Sequence, residues 1–532
     1  MKKILAFCLA LVMVLSLAGC YSGKSLSGDG GDYVSYKTMV YQRPDMEEFA
    51  ATLSASCDIA RSSADLDEVV EAIYDYYDAY DWFYTNYDLA YIEYNRDTTS
   101  EKWQEEYDFC SQYASEVEAG LEELYMVLAH SPVREELEGD DYFGEGYFDY
   151  YEGEAVWDDT FLAMMEKESA LVSEYYDLCT LADAEEYYSD AYFDGYADAL
   201  CQNLIDLVKL RQEIADYMGY DSYVQFAYDF YYYRDYTPAQ AMDYMMDIQN
   251  EMYDLYQKVN ASYALEGGYG YCTEEEMYSY LSGTVSAMGG TIEEAFGLME
   301  QAELYDIAYN DKKFNTSFEI YLTWYYEPYI FVNPSGYDLD KLSFAHEFGH
   351  FVTDYASYGS YAGIDVQEVF SQGMEYLSLC YDDGEEMLEK YKMADCVSTY
   401  VEQAAYACFE QQLYDLAEEL TVEQVFELYE TTCRSFGIDF EAQGWDTRDL
   451  VTVPHFYTDP MYIISYVVSN DAAFQLFQME LGDKGQGLEK FEETMTTECY
   501  YFLEFIEEAG LESPFTPGRV AEVADDLKDL LR

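Results

Sequence analysis

His346-Glu347-Phe348-Gly349-His350 is the stretch of this chain with the most informative spacing. Histidines four residues apart lie on one face of a helix, so both imidazoles can reach the same metal ion. Glu347 follows the first histidine, where its carboxylate can take the proton of an attacking water. The chain has four histidines in 532 residues, and two form this pair, which argues against a chance match on a solvated helix. The motif therefore predicts a hydrolytic zinc site with one ion per chain.

A third protein ligand is expected from a nearby segment, because a catalytic zinc usually has three protein ligands and one open position. Residues 365–376 offer two candidates, Glu368 and Glu375, which are seven residues apart and fall near one face of a helix. A carboxylate is a suitable zinc ligand at either position, so spacing alone leaves both open.

The sequence around these glutamates resembles the third-ligand helix of the thimet oligopeptidase and oligoendopeptidase F family of zinc peptidases, the M3 family. The likeness lies in Glu368 followed by Val-Phe-Ser-Gln, with Glu375 seven residues further on. It implies that Glu368 is the zinc ligand and that Glu375 supports it. The loop from His350 to Glu368 is shorter than in the family pattern, so Glu375 stays open as the alternative ligand.

Two further segments resemble the same family. Glu327-Pro328-Tyr329-Ile330-Phe331-Val332-Asn333 is similar to the strand that precedes the HExxH helix. Val453-Pro454-His455-Phe456-Tyr457, followed by Tyr462 and Tyr466, is similar to the segment in which a histidine and a tyrosine face the substrate carbonyl and its oxyanion. This resemblance implies that His455 and Tyr466 act as donors to the oxyanion. Tyr462 is the alternative to Tyr466, because the spacing is one residue longer than the family pattern.

The resemblance also implies a fold and an activity. The expected fold is mainly α, with a large, helical bundle-like catalytic domain over residues 36–532, a deep cleft and a small β-sheet next to the HExxH helix. An active site within such a cleft admits short peptides and excludes folded proteins. The implied activity is that of a zinc-dependent, oligoendopeptidase-like endopeptidase.

Hydrophobic spacing favours a helical fold independently of the resemblance. Apolar residues recur with helical periodicity over 65–94, 101–129, 185–218, 238–263 and 488–508. Residues 314–333 are the one convincing β region. No internal linker or repeat is visible, so one mostly helical domain is expected.

The first 20 residues are predicted to be a lipoprotein signal peptide. Lys2 and Lys3 precede an apolar run that is too short to span a membrane and that ends in Leu17-Ala18-Gly19-Cys20. This ending resembles the lipobox of bacterial lipoproteins, which implies cleavage before Cys20 and acylation of Cys20. Residues 21–35 are expected to form a flexible tether. The protein is thus expected outside the cytoplasm, lipid-anchored to the bacterial cell membrane, with an ordinary secretory signal as the alternative.

The chain is strongly acidic, with 108 Asp and Glu against 26 Lys and Arg and a formal net charge of −82. This charge excludes non-specific nucleic-acid binding, because phosphates would be repelled. The aromatic content of 18% argues against disorder. The expected partners are short peptides and, through the lipid anchor alone, the membrane; no feature of the sequence indicates an oligomeric state.

Two other classes of function compete with an active peptidase. A lipid-anchored peptide-binding receptor would capture peptides without cutting them, but such receptors are typically α/β proteins with repeated parallel strands. An inactive peptidase homologue is expected to lack the base, whereas Glu347 is present. The leading hypothesis is therefore an exported zinc endopeptidase.

Overall fold

The computed structural model describes residues 33–139, 142–153, 155–180, 193–266, 270–359, 362–382, 386–416, 420–497 and 499–531. Over these residues the chain consists mainly of α-helices with one small β-sheet, which confirms the predicted fold class. The predicted signal peptide, with Cys20, and most of the predicted tether lie outside the described residues. Among the helices in these ranges, none is long and apolar enough to cross a bilayer.

The helices are numbered in chain order. Those that precede the sheet are α1 (Met46–Ser62), α2 (Leu66–Arg96), α3 (Glu101–Leu128), α4 (Arg134–Leu137), α5 (Asp159–Thr180), α6 (Asp198–Tyr217), α7 (Tyr223–Phe230), α8 (Pro238–Glu266), α9 (Glu274–Met288) and α10 (Gly290–Ala302). Those that follow the sheet are α11 (Asp340–Ser357), α12 (Ile364–Tyr381), α13 (Glu386–Ser398), α14 (Ala404–Asp415), α15 (Val422–Ser435), α16 (Phe440–Gln443), α17 (His455–Thr458), α18 (Ile464–Gly482), α19 (Gln486–Thr494), α20 (Phe502–Ala509) and α21 (Arg519–Leu530). Short 3-10 turns cover Tyr36–Thr38, Tyr147–Glu152 and Thr447–Thr452, and π-helical turns cover Phe193–Ala197 and Thr399–Gln403.

Several helix starts follow from local capping chemistry. The side chains of Asp65 and Ser100 accept hydrogen bonds from the backbone N–H groups of Asp67 and Trp103, in the first turns of α2 and α3. Thr273 and Glu276 form a reciprocal capping box at the start of α9. Each cap satisfies N–H groups that have no partner within the helix, so these boundaries are encoded locally.

The long helices predicted over 65–94, 101–129 and 238–263 are confirmed by α2, α3 and α8. Of the segment predicted to be helical over 185–218, the structure describes the residues from 193 onward. They form a π-helical turn followed by α6.

The prediction of one helix over 488–508 is wrong. α19 ends at Thr494, and α20 begins at Phe502. Between them the Tyr500 carbonyl accepts a hydrogen bond of 3.0 Å from the backbone N–H of Gly363, just before α12. This contact joins residues far apart in the chain, which hydrophobic periodicity does not encode.

The predicted β region is a hairpin of β2 (Ser317–Leu322) and β3 (Glu327–Val332). A two-residue strand that the sequence did not predict, β1 (Tyr305–Asp306), pairs in parallel with β3, so the strand order is β1–β3–β2. Every residue of β3 is buried. The sheet packs on α11, the helix of the HExxH motif, as the family resemblance predicts.

Two hydrophobic cores organise the helices. α1, α2 and α3 enclose one core, which includes Ile73 and Leu124. A larger core contains the inner faces of α11, α12 and α18, with Phe348 and Val369 among its residues. A cavity of about 580 Å³ lies where α2, α3 and α5 face the end of α17.

α11 and α12 cross in close contact at Gly349. A Cβ atom on Gly349 would lie 2.6 Å from the Phe370 carbonyl oxygen and 2.6 Å from Ser371 Cα. Both are backbone atoms, so no side-chain rotation could relieve the overlap. Gly349 therefore allows the backbones of α11 and α12 to pack at this short distance.

We expect Gly349→Ala to lower the free energy of unfolding by about 1–3 kcal/mol, because the two backbones must separate. This loss should outweigh the helix-propensity gain of about 1 kcal/mol that alanine has over glycine. Urea-denaturation midpoints of the variant and the wild type measure the difference.

Gly283→Ala in α9 is the matched control, because a Cβ atom at Gly283 would have nothing within 4 Å. This control should gain about 0.5–1 kcal/mol. Equal stability of the Gly349→Ala and Gly283→Ala proteins would contradict a close contact at the crossing.

Candidate active site

α11 and α12 bring the three predicted metal ligands together. The Oε2 atom of Glu368 lies 3.4 Å from Nε2 of His346 and 3.9 Å from Nε2 of His350. Donor atoms of the three residues all lie within 4.8 Å of one another. Ligand atoms around a tetrahedral zinc are roughly 3.3–3.4 Å apart, given bonds of about 2.0–2.1 Å. The donor set and its spacing therefore fit such an ion.

Glu375 contacts the first histidine from the other side. Its Oε1 atom lies 2.8 Å from Nδ1 of His346. A proton held between these two atoms leaves the lone pair of Nε2 directed towards Glu368 and the space between the three donors. The geometry favours Glu368 as the ligand and Glu375 as the residue that orients His346.

Lys392 on α13 is a buried counterion that the sequence analysis missed. Its Nζ atom lies 2.7 Å from Oε2 of Glu375 and 3.0 Å from Oδ2 of Asp395, and its residue is 2% exposed. Burial alone would raise the pKa of Glu375, but the charge of Lys392 and the hydrogen bond to His346 hold that pKa below its usual value. No motif marks Lys392, because its partner lies on a different helix.

The pKa values of the two histidines shift in opposite directions. Burial alone would lower the pKa of His346, but the carboxylates of Glu368 and Glu375 raise it well above its usual value. Burial lowers the pKa of His350 to about 4, so its imidazole is neutral and can offer a lone pair. Burial would raise the pKa of Glu368, yet its hydrogen bond to His346 holds it below the usual value. Glu368 is therefore ionised, as a ligand must be.

Glu347 is buried beside the ligands. The backbone N–H of Glu319, in β2, donates a hydrogen bond to its carboxylate. Burial raises the pKa of Glu347 to about 7, so this carboxylate can exchange a proton near neutral pH. The small sheet thus holds the candidate base in place.

His455 and the two candidate tyrosines reach the same site. Nε2 of His455 lies 3.2 Å from the hydroxyl of Tyr466, and the His455 ring stacks on that of Tyr462 with centroids 5.0 Å apart. The hydroxyl of Tyr462 donates a hydrogen bond to Oε1 of Glu368. The structure therefore brings together every site residue that the sequence predicts within the described ranges.

The two tyrosines occupy different positions. Tyr462 precedes α18, which begins at Ile464, and it follows a turn in which Met461 has a φ of 69°. Its hydroxyl is engaged by the ligand carboxylate, whereas the Tyr466 hydroxyl faces His455. His455 and Tyr466 thus form a hydrogen-bonded pair of adjacent polar groups that the ligand carboxylate does not engage.

Arg234 joins the ligand helix to the tyrosine helix, a role that the sequence analysis also missed. Its Nε atom lies 3.2 Å from Oδ2 of Asp365 in the first turn of α12, and its Nη2 donates to Oγ of Ser465 in the first turn of α18 at 2.8 Å. The guanidinium carbon lies 4.4 Å from the ring centroids of Tyr228 and Tyr232. These partners are distant in the chain, so no sequence pattern indicates the contact.

Comparisons with known proteins agree with the fold. A sequence profile for the peptidase M3 N-terminal domain matches residues 36–155. A solved structure assigned as oligoendopeptidase F has a TM-score of 0.82 at 21% identity, covering 94% of this chain and 98% of its own. PZ peptidase A, solved with an inhibitor, has a TM-score of 0.81 at 20% identity, with 93% and 98% covered. A protein assigned as oligoendopeptidase F from Bacillus anthracis has a TM-score of 0.79 at 20% identity, with 94% and 98% covered. No match to the chain is found among curated proteins.

The fold and the site together define a peptidase. The profile match in the N-terminal region and the shared fold over most of the chain confirm the predicted resemblance. Over residues 36–155 the chain matches the M3 family of peptidases, and the likeness over the rest of the chain is one of fold.

We expect Glu368→Ala to abolish most metal binding, and Glu375→Ala to weaken it by about 10–100-fold, because the second carboxylate acts only through His346. Metal content after dialysis against a range of free zinc concentrations, measured by mass spectrometry, separates the two effects.

The matched control is Glu489→Ala, because Glu489 lies on the surface in α19 and should leave zinc content unchanged. If Glu375→Ala is the variant without metal at saturating zinc while Glu368→Ala retains it, the ligand assignment is wrong.

Proposed function

We propose that this chain is a zinc-dependent endopeptidase that hydrolyses short peptides outside the cytoplasmic membrane. The observation that carries the proposal is the meeting of His346, His350 and Glu368 beside the buried Glu347. Two histidines, one carboxylate and an adjacent glutamate are the composition of a catalytic zinc site with an open position. The peptidase fold supports the same assignment.

Each side chain near the metal position has a separate task in peptide hydrolysis. A zinc ion bound by the two histidines and Glu368 would act as a Lewis acid and lower the pKa of a water from about 15.7 towards 7. Glu347 accepts the proton of the attacking water and delivers it to the leaving amine. Glu375 and Lys392 hold His346 in the tautomer that presents Nε2.

His455 and Tyr466 are proposed to stabilise the oxyanion. Their donor atoms are 3.2 Å apart, so one substrate oxygen can contact both. Donors already fixed in place stabilise the charge that develops as the carbonyl carbon becomes tetrahedral. The contribution of these residues therefore belongs to the transition state more than to substrate binding.

Short peptides fit the position of the site. Glu347 and Glu368 are both buried, and the adjoining cavity of about 580 Å³ suits a peptide segment better than a folded protein. Structures that share the fold carry the name oligoendopeptidase F. Both observations support a preference for oligopeptides.

A peptide-binding receptor and an inactive homologue have less support. Neither would need a buried glutamate within reach of a metal site, and Glu347 occupies that position. Neither would need adjacent donors such as His455 and Tyr466 across from the ligands.

Lipid anchoring at Cys20 is part of the proposal. Leu17-Ala18-Gly19-Cys20 supports it, because a cysteine after small residues at the end of a short apolar run is the pattern that receives the lipid. An enzyme held at the membrane in this way would cut peptides at the cell surface.

Glu347→Gln should retain zinc and lose hydrolysis by about 10²–10⁴-fold, because the ligands remain while the base is removed. Metal analysis and cleavage of a quenched peptide library, with and without a chelator, measure the two properties on the same preparation. Near-normal turnover with zinc bound would remove Glu347 from the mechanism.

The same assay compares the loss of kcat in the Tyr466→Phe and Tyr462→Phe variants. Loss of the Tyr466 hydroxyl should lower kcat by about 10²–10³-fold with little change in KM. Tyr462→Phe should have the smaller effect on kcat, because its hydroxyl bonds Glu368. The reverse order would assign the oxyanion role to Tyr462.

Cys20→Ala should prevent lipidation, so the protein should stay unprocessed or leave the membrane fraction. Metabolic labelling with a fatty-acid analogue in a bacterial host, followed by membrane fractionation, measures both outcomes. Cys8→Ala, within the same leader, is the control that should keep the label. An unlabelled wild-type protein that matures normally would indicate an ordinary secretory signal.

A further inference from the structure

The cavity beside the candidate active site has an unusual lining. Seven of its lining residues are tyrosines, three are carboxylates, and none of the described residues that line it is Lys, Arg or His. The tyrosines come from α2, α3, α5, α7 and the segment after α7, so several separate elements contribute rings to one space. Aromatic faces together with carboxylates are the chemistry that binds organic cations.

The three carboxylates differ in their pairing. Glu168 is neutralised by Arg211, whose Nε atom lies 2.6 Å away. Arg211 also donates hydrogen bonds to the backbone carbonyls of Phe456 and Tyr457, so its guanidinium group is already hydrogen-bonded within the protein. The two carboxyl groups of the lining that have no Arg or Lys partner in the described structure are therefore Asp88 and Asp459.

Asp88, on α2, forms no hydrogen bond or ion pair with any residue in the described ranges. It is half-buried, and burial raises the pKa of its carboxyl group well above the usual value. The hydroxyl of Tyr223, a fully buried residue that also lines the cavity, has no hydrogen-bond partner within the described structure either. Polar groups buried without partners cost free energy, so a ligand that pairs with them is favoured.

Asp459 connects the cavity to the candidate catalytic residues. Its Oδ2 atom lies 3.7 Å from Nδ1 of His455, and its side chain is 52% exposed. At the same end of the cavity, the hydroxyl of Tyr232 donates to the Pro460 carbonyl at 2.9 Å, and its ring meets that of Tyr462 edge to face. A peptide bound across the site can thus place one group in the cavity.

We propose that this cavity is a substrate subsite for a positively charged group, with Asp88 and Asp459 as its carboxylate partners and the tyrosine rings as its walls. The group is an ammonium or guanidinium, supplied either by a Lys or Arg side chain or by the amino terminus of the peptide. This inference rests on the proposed peptidase function. It adds a substrate class, peptides with a cationic group at one fixed distance from the scissile bond.

An anionic or purely apolar group fits the cavity less well. An anionic group would meet the carboxyl groups of Asp88 and Asp459 and no described basic lining residue. An apolar side chain would contact the rings but leave Asp88 and the Tyr223 hydroxyl without partners. A hydrogen bond to a charged group contributes about 1.5–3 kcal/mol, which corresponds to roughly tenfold or more in affinity.

The test uses internally quenched peptides that differ at one position, where Lys, Arg, norleucine or Glu is placed. The position is moved through three residues on each side of the scissile bond. A second set carries norleucine throughout, with a free or an acetylated amino terminus. We expect a preference of about tenfold in kcat/KM for the cation, either at one side-chain position or at the free amino terminus. Equal kcat/KM values for all peptides within both sets would overturn the proposal.

Variants of Asp88 locate the preference in the cavity. Asp88→Asn should reduce the ratio of kcat/KM for cationic over neutral peptides towards one, whereas Asp88→Glu should retain most of it. Asp75→Asn is the matched control, because Asp75 is an exposed acid on the same helix, and it should leave the ratio unchanged. A preference that survives Asp88→Asn but disappears in 0.5 M salt would come from the surface charge and would refute the subsite.

Binding measurements separate this inference from the proposed function. Fluorescence anisotropy of the Glu347→Gln variant with labelled Lys or norleucine peptides should give a Kd ratio of about tenfold without any hydrolysis. Absence of cleavage by the wild type together with this ratio would refute the peptidase but keep the subsite. Cleavage together with equal Kd values would keep the peptidase and refute the subsite.

Discussion

The close approach of two helix backbones at Gly349 is the constraint on which the candidate site depends. The histidines lie on one helix and the carboxylate ligand on the other, so the distance between helices sets the distance between donors. A donor set for one small ion tolerates little variation in that distance. The contact of Gly349 with the backbone at Phe370 and Ser371 is therefore a requirement of the site as well as of packing.

The second constraint is that charged side chains are buried near the site. Two of the buried carboxylates, Glu375 and Asp365, are each stabilised by an oppositely charged partner. Glu375 lies between His346 and Lys392, so a buried carboxylate has a partner on each oxygen. Arg234 and Asp365 form a similar pair at the start of the ligand helix. Removing one member of such a pair leaves a buried charge without compensation, which is costly. These pairs therefore hold the ligands in one arrangement as well as stabilising the fold.

The cavity lining differs from these pairs, because Asp88 faces the cavity among tyrosines and has no basic partner in the described structure. The other lining carboxylate without an Arg or Lys partner there, Asp459, contacts the candidate catalytic histidine, His455. A bound cation would give Asp88 the kind of charged partner that Glu375 has in Lys392 and that Asp365 has in Arg234.

The sequence by itself determined the helical class, the hairpin region, the two histidines with Glu347, and the candidates Glu368, His455 and Tyr466. The helical class, the β region and the HExxH residues follow from local periodicity and motif spacing, whereas Glu368, His455 and Tyr466 are what the family resemblance implies. Only the tertiary structure distinguished the position of Glu368 from that of Glu375, and that of Tyr466 from that of Tyr462. It also revealed Lys392, Arg234, Asp88 and the break after Thr494. The physical reason is that each of these depends on contacts between helices far apart in the sequence, where local spacing carries no information about distance.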